Sequence, residues 1–155
     1  MMTDVIIIGG GPSGCAAALG LNRLGYRVVL CDQAKFPRDK VCGEFISPAA
    51  DPILKRLGVL DRIEALSPKR LKGVAISSYE GEEIVIDYPK MPGMDARPTS
   101  LSVPRYELDA SLLVKVKQVG VEVLEQHKVT EFLFADGRVN GVSGLDESKT
   151  SFTLK

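Results

Sequence analysis

The chain has 155 residues, 45% of them apolar, and its 20 Lys and Arg balance its 20 Asp and Glu, so it can bury one ordinary domain core but lacks the positive charge of a nucleic-acid binder. The apolar run near the N-terminus, residues 5–8, is far short of the ~20 residues of a membrane span and has neither the basic flank nor the cleavage site of a signal peptide. Three cysteines, Cys15, Cys31 and Cys42, form an odd and sparse set that fits a reducing cytoplasm better than a disulfide framework.

In chain order, Asp4-Val5-Ile6-Ile7-Ile8 is a short, β-branched run that predicts a strand buried on both faces, as in a parallel sheet. It leads into Gly9-Gly10-Gly11 and then a small-residue helix over residues 13–24. Gly25 falls where a helix end wants positive φ. Residues 27–31 predict a second buried strand, and strand, helix and strand within about thirty residues make a βαβ unit.

Residues 33–47 form a polar loop long enough to suggest function. Ser47-Pro48 or Asp51-Pro52 opens the next helix, whose apolar positions Ile53, Leu54, Leu57, Leu60, Ile63 and Leu66 keep helical spacing. Residues 74–79 and 84–88 flank Glu80-Gly81-Glu82-Glu83 as a hairpin. Pro89, Pro92, Pro98 and Pro104 mark an irregular segment. Residues 106–118 predict a helix with Leu108, Leu112, Leu113 and Val116 inward, closed by Gly120. Residues 121–124 predict a third parallel strand. The remainder, with turns at Asp136-Gly137-Arg138 and Asn140-Gly141, predicts an antiparallel meander ending on Phe152-Thr153-Leu154.

Gly9-x-Gly11-x-x-Gly14 follows a predicted strand and opens a helix inside the βαβ unit, the context that gives this spacing meaning. Gly9 permits the tight turn, Gly11 lets backbone approach a pyrophosphate, and Gly14 allows close packing of helix on strand. The N–H groups at the helix start and the positive end of its dipole then face the phosphates. Asp32, eighteen residues beyond Gly14 at the end of the second strand, is placed to accept hydrogen bonds from ribose hydroxyls. The fingerprint serves NAD and FAD alike.

The loop Phe36-Pro37-Arg38-Asp39-Lys40-Val41-Cys42-Gly43-Glu44-Phe45-Ile46-Ser47-Pro48 resembles that of flavoproteins of the geranylgeranyl reductase type, within the wider p-hydroxybenzoate hydroxylase-like group that includes ring monooxygenases and flavin-dependent halogenases. Val103-Pro104-Arg105-Tyr106-Glu107-Leu108-Asp109 is similar to the arginine-led helix of that group. The resemblance implies a Rossmann-like FAD-binding fold of the α/β class, with a three-stranded parallel sheet, an antiparallel meander and an inserted hairpin. Residues 1–72 and 101–155 would belong to the FAD-binding domain, and 73–100 to the substrate side. It further implies that Gly9, Gly11, Pro12, Ser13 and Gly14 hold the pyrophosphate, that Asp32 meets the ribose and that Gln33 lies near adenine. Arg38 or Lys40 would neutralise phosphate. Cys42 and Gly43 would approach the ribityl chain or the ring, Arg105 the ribityl–phosphate region, and the Val129 backbone the adenine. Asp32 departs from the commoner Glu.

The expected activity is FAD-dependent oxidoreduction. It would be reduction of an isoprenoid alkene or oxygenation of an aromatic or lipid substrate, with NAD(P)H as a possible external reductant and no metal. The Cys42-Gly43-Glu44 loop leans toward the reductases, and this Trp-free chain lacks the tryptophan-containing motif of the halogenases. Two rivals stand: a non-catalytic nucleotide-binding remnant or partner subunit, and an NAD(P)-dependent reductase. The second FAD motif of the group, a strand leading into Gly-x-Asp-Gly, does not occur before Lys155. The expectation is therefore a flavin site completed elsewhere, with residues 5–8 at an unpaired sheet edge. Neither a catalytic residue nor a substrate is assigned. Cys15 and Cys31 are expected in the core, and His127 on the surface.

Overall fold

The computed structural model describes residues 3–90 and 98–155; Pro92 of the proline-rich segment lies outside them. Two compact units form, one from residues 3–40 with 106–155 and one from residues 41–105.

In the first unit, β1 (Val5–Ile8), α1 (Pro12–Arg23) and β2 (Val28–Cys31) make the βαβ motif, and β8 (Glu122–Leu124) adds to β2. Both pairings are parallel, with Val5 opposite Val28 and Leu30 opposite Val123, in the order β1-β2-β8. Every residue of β2 is buried. β1 departs from the expectation of burial on both faces, being only half-buried with Ile8 exposed, because among the described residues a strand pairs with it on one side only. Asp4 and Arg27 clamp the entry to these two strands: Asp4 Oδ1 accepts from the Arg27 guanidinium at 2.6 Å and Oδ2 from the Arg27 N–H at 2.8 Å. The Arg27 hydrogen bonds hold the Asp4 carboxyl down at about 2.

Helix α1 ends before Gly25, which takes φ +89°. Helix α4 (Arg105–Gln118) buries Leu108, Leu112, Leu113 and Val116 as its spacing predicts, and Asp109 with them. The remaining core side chains of this unit include Cys15, Ala18 and Leu19 of α1, Val121 and Val142.

The meander is β9 (Lys128–Ala135), β10 (Arg138–Leu145) and β11 (Ser151–Leu154), antiparallel throughout. Asp136-Gly137 is a two-residue turn with positive φ at both positions, the primed hairpin geometry. Asn140-Gly141 is not a turn. It lies inside β10 beside a register shift, where a Cβ on Gly141 would stand 2.3 Å from the Leu154 carbonyl oxygen. The glycine there serves a bulge and the close approach of β11.

In the second unit, β3 (Phe45–Ile46), β7 (Ser100–Ser102) and β4 (Lys69–Leu71) form an antiparallel sheet with β7 central. β5 (Gly73–Ser77) and β6 (Glu83–Asp87) form the predicted hairpin, with the large apolar residues Val74, Ile76, Ile84, Val85 and Ile86 exposed. Both proposed helix starts are used. Ser47 Oγ accepts the Ala49 N–H to open a 3-10 turn (Pro48–Ala50), and Asp51-Pro52 then begins α2 (Asp51–Leu57). The single helix predicted through Leu66 is broken: Gly58 takes φ +70° and closes α2, and α3 (Leu60–Glu64) restarts after Val59. The break buries Leu54, Val59 and Ile63 and leaves Ile53 and Leu66 exposed. Arg70 bridges Asp51 and Glu64, fastening β4 to both helices.

Candidate dinucleotide-binding site

The glycine turn is fixed by its neighbours before any ligand is considered. The Gly9 N–H donates to the Cys31 carbonyl at 2.7 Å, so the exit of β1 is tied to the end of β2. Gly9 has φ +108°, and a Cβ on Gly14 would stand 1.9 Å from the Gly9 carbonyl oxygen and 3.3 Å from Ile7 Cγ2. The helix start is thus pressed onto the strand exit, a cradle that any side chain at Gly14 would fill.

Gly11 caps α1 without a side chain, Pro12 occupies its first turn, and no side-chain cap satisfies the N–H groups that follow. The first intrahelical bond runs from the Cys15 N–H to the Gly11 carbonyl at 2.9 Å. The N–H groups of Ser13 and Gly14 are donors of a first helical turn, which has no carbonyl of its own to bond them, and the dipole adds partial positive charge at the same place. This donor set fits a pyrophosphate.

Asp32 follows β2 and is buried. Its Oδ2 accepts the Gly10 N–H at 2.7 Å and its Oδ1 the Ala34 N–H at 2.8 Å. A carboxylate has about four acceptor positions, so two remain for ribose hydroxyls. The Asp32 backbone links β2 to the strand beyond it, its N–H donating to Leu124 and its carbonyl accepting from His127.

Arg38 does not project freely from the loop. Its side chain is 17% exposed, with Nη1 at 3.3 Å from Asp109 Oδ2 and Nη2 at 3.8 Å from Asp32 Oδ2. Its guanidinium lies 4.7 Å from the centre of the Phe36 ring. Of the two cations the sequence offers for phosphate, Lys40 is the exposed one. Gln33 is exposed beside Asp32, and Val129 sits in β9 opposite Gly144, next to a register shift.

Cys42, Gly43 and Arg105 belong to the other unit. There Glu44, at φ +53°, accepts the Arg105 N–H through Oε1 at 3.4 Å and the Val103 N–H through its backbone carbonyl at 3.2 Å. Cys42 is fully exposed, and a hydrogen bond from the Glu44 backbone and one from the Arg105 side chain hold its thiol below the ordinary range. Burial, and then the charges of Asp109 and Asp32, push Cys15 up to about 12. Burial likewise raises Cys31 to about 11.

His127 is half-buried, not a free surface residue. Its Nδ1 lies 2.8 Å from the Glu125 carbonyl and its ring meets Phe152 edge-on. Residues that sequence reasoning passed over include Gly10 and Phe36, at the glycine turn, and Glu125, whose Oε1 accepts the Phe36 N–H at 2.7 Å. Asp109 is another. Its signal was a carboxylate amid the inward leucines of α4. Among the described residues no group of three or more His, Cys, Asp or Glu forms a metal site, and no helix is long and apolar enough to cross a membrane.

A parallel βαβ unit with a glycine turn at its switch and a buried carboxylate after the second strand defines a dinucleotide-binding protein of the Rossmann class. Within that class, residues 2–155 match the model of the FAD binding domain, and the chain belongs to this family. Its cofactor is FAD.

Relatives include a menaquinone reductase of Mycolicibacterium smegmatis, 36% identical over 95% of this chain and 34% of its own length, and a tryptophan 2-halogenase of Chondromyces crocatus, 33% identical over 85% of this chain and 24% of its own length. The solved structure of a myxobacterial chondrochloren halogenase, 29% identical, superposes with a TM-score of 0.88 over 99% of this chain and 35% of its own. The flavoprotein/dehydrogenase of Cytophaga hutchinsonii, 25% identical, reaches 0.86 over 99% of this chain and 37% of its own. The chain spans about a third of the length of the curated reductases it matches (34% for the first). The FAD-dependent oxidoreductase family is established by these likenesses; the geranylgeranyl reductase branch is not singled out.

Proposed function

We propose that the whole protein is an FAD-dependent reductase that saturates an isoprenoid alkene, with NAD(P)H as external reductant, and that this chain supplies its hold on the ADP half of the cofactor. The observation that carries the reading is the cradle between Gly9 and Gly14, clasped from below by Asp32 through the Gly10 N–H. When bound, FAD supplies a ring that exchanges hydride.

The chain's own residues bind and orient. The backbone of Gly9, Gly11, Pro12, Ser13 and Gly14 receives the pyrophosphate at the start of α1. Asp32 accepts the ribose hydroxyls, while Gln33 and the Val129 backbone border adenine. Lys40 is the better placed cation for phosphate, since Arg38 faces two internal carboxylates. Cys42 and Gly43 border the ribityl chain or ring, and Arg105 the ribityl–phosphate region. The substrate-side assignment of residues 73–100 belongs to the same proposal, and a cytoplasmic setting accords with three unpaired cysteines.

Support for the reductase branch comes from the Cys42-Gly43-Glu44 loop and from relatives named as menaquinone reductases. A second reading, halogenation or hydroxylation of an aromatic substrate, is favoured by the likeness to halogenase structures. The two separate cleanly under anaerobic conditions. Flavin-loaded protein given NAD(P)H and an isoprenoid alkene should add two hydrogens to the alkene without dioxygen. A product that appears only with dioxygen, carrying a new oxygen or halogen, would replace the reductase reading with the second one.

A further inference from the structure

Beneath the glycine turn lies a charge arrangement that cofactor contact alone does not explain. Asp109 is fully buried in α4, along with Leu108, Ser111, Leu112, Leu113 and Val116, at 3.3 Å from Arg38 Nη1. The other arm of the same guanidinium stands 3.8 Å from Asp32 Oδ2, the oxygen that already accepts the Gly10 N–H at 2.7 Å. Phe36 closes the arrangement: its ring supports the guanidinium and its Cζ lies 3.1 Å from where a Gly10 Cβ would be. A further titratable neighbour is Cys15 of α1, whose thiol donates to the Gly10 carbonyl at 3.3 Å.

One guanidinium is therefore shared between two buried carboxylates. A buried charge deprived of its partner costs several kcal/mol, so each carboxylate constrains where Arg38 can go. With Asp109 in place, Arg38 is held back from Asp32, 3.8 Å from its Oδ2 and too far to occupy its oxygens as a close hydrogen-bonded pair would.

We propose that Asp109 and Arg38 are positioning residues for cofactor binding: Asp109 anchors Arg38, and Arg38 so held leaves Asp32 fastened to Gly10 and open to the adenosine ribose. This rests on the reading of Asp32 as the ribose acceptor. Removing the Asp109 charge frees Arg38 to close on Asp32 and consume the oxygens the ribose needs. The effect falls on the ribose contact and not on the pyrophosphate contact.

The test compares the affinity of the full chain for ADP and for 2′,3′-dideoxy-ADP by calorimetry, in the parent, Asp32→Asn, Asp109→Asn and Asp109→Ser, each Asp109 variant removing the carboxylate while leaving Arg38 in place. Hydrogen bonds to a charged group predict that the parent prefers ADP by roughly tenfold or more. Asp109→Asn should reduce that preference to within about threefold of unity, with affinity for the dideoxy compound unchanged within about twofold. If Asp109→Asn does not fold, Asp109→Ser is read in its place, with the same loss expected. A preference that disappears in Asp32→Asn but survives in the Asp109 variants overturns the positioning role and leaves the ribose reading intact. Equal losses for both nucleotides mark a merely structural role and also overturn it. A parent without any preference overturns the ribose reading, and the positioning role with it.

Discussion

Replacing Gly14 by alanine tests the account at its tightest point. The added Cβ would stand 1.9 Å from the Gly9 carbonyl oxygen and 3.1 Å from its carbon, where real Cβ atoms stay beyond 3.0 Å. The obstacle is backbone, with no rotamer to swing away, so α1 and the strand exit must part by about 1.1 Å, the shortfall of the 1.9 Å oxygen distance from the 3.0 Å limit. Overpacking of this kind costs ~1–3 kcal/mol of stability. The displaced turn would also misplace N–H donors to phosphate, at ~1.5–3 kcal/mol for each charge-assisted hydrogen bond lost, or roughly tenfold to a hundredfold in FAD affinity. Gly20, on the same helix with nothing within 4 Å of its Cβ, is the control. Gly20→Ala should stabilise by ~0.5–1 kcal/mol, because alanine is the better helix former, and leave FAD affinity unchanged. Thermal unfolding followed by circular dichroism reads the stability, and quenching of flavin fluorescence reads the affinity. A Gly14→Ala protein that binds FAD within twofold of the parent would refute the cradle.

Leu30, fully buried in the central strand β2, should cost ~2–5 kcal/mol as alanine in denaturant unfolding, whereas Val85→Ala on the exposed hairpin should stay within about 0.5 kcal/mol. Iodoacetamide at neutral pH should label native protein at Cys42 alone, since that thiol is exposed and its pKa lowered, and label Cys15 and Cys31 only after unfolding; peptide mass spectrometry reads the sites. The Asp4–Arg27 clamp has a folded carboxyl pKa of about 2 against an ordinary 3.8. Its contribution is therefore present above pH 3.8 and is lost as pH falls from there toward 2. Asp4→Asn should accordingly narrow its stability gap from the parent across that window, in urea melts run at successive pH values.

Much of this architecture was legible because its signals are local. A β-branched run, a glycine turn, a helix and a second run can be read in order, and β1, α1 and β2 formed where those signals lie. The helix predicted over 106–118 from the spacing of Leu108, Leu112, Leu113 and Val116 formed as Arg105–Gln118. What was misread depended on contacts distant in sequence. Asn140-Gly141 carries a turn signal, yet the approach of Leu154 makes it a bulge. The spacing from Ile53 to Leu66 is helical, yet Gly58 divides it, a single-residue conformation that periodicity ignores. β4 and β7 are three residues each and exist by pairing with one another, so neither announces itself. At the site, the glycines and Asp32 were found from spacing. The engagement of Arg38 by Asp109, across 71 positions of sequence, was not, because only the fold brings that carboxylate beneath the loop.

The central claim is that this chain grips FAD by its adenosine pyrophosphate half, at the glycine turn and Asp32. Competition at equilibrium tests it most directly, with bound FAD displaced by ADP or by FMN and followed through flavin fluorescence. ADP, which carries the whole of the recognised half, should displace FAD from a single class of site, and FMN, which lacks it, should not. Displacement by FMN with no effect of ADP would contradict the account.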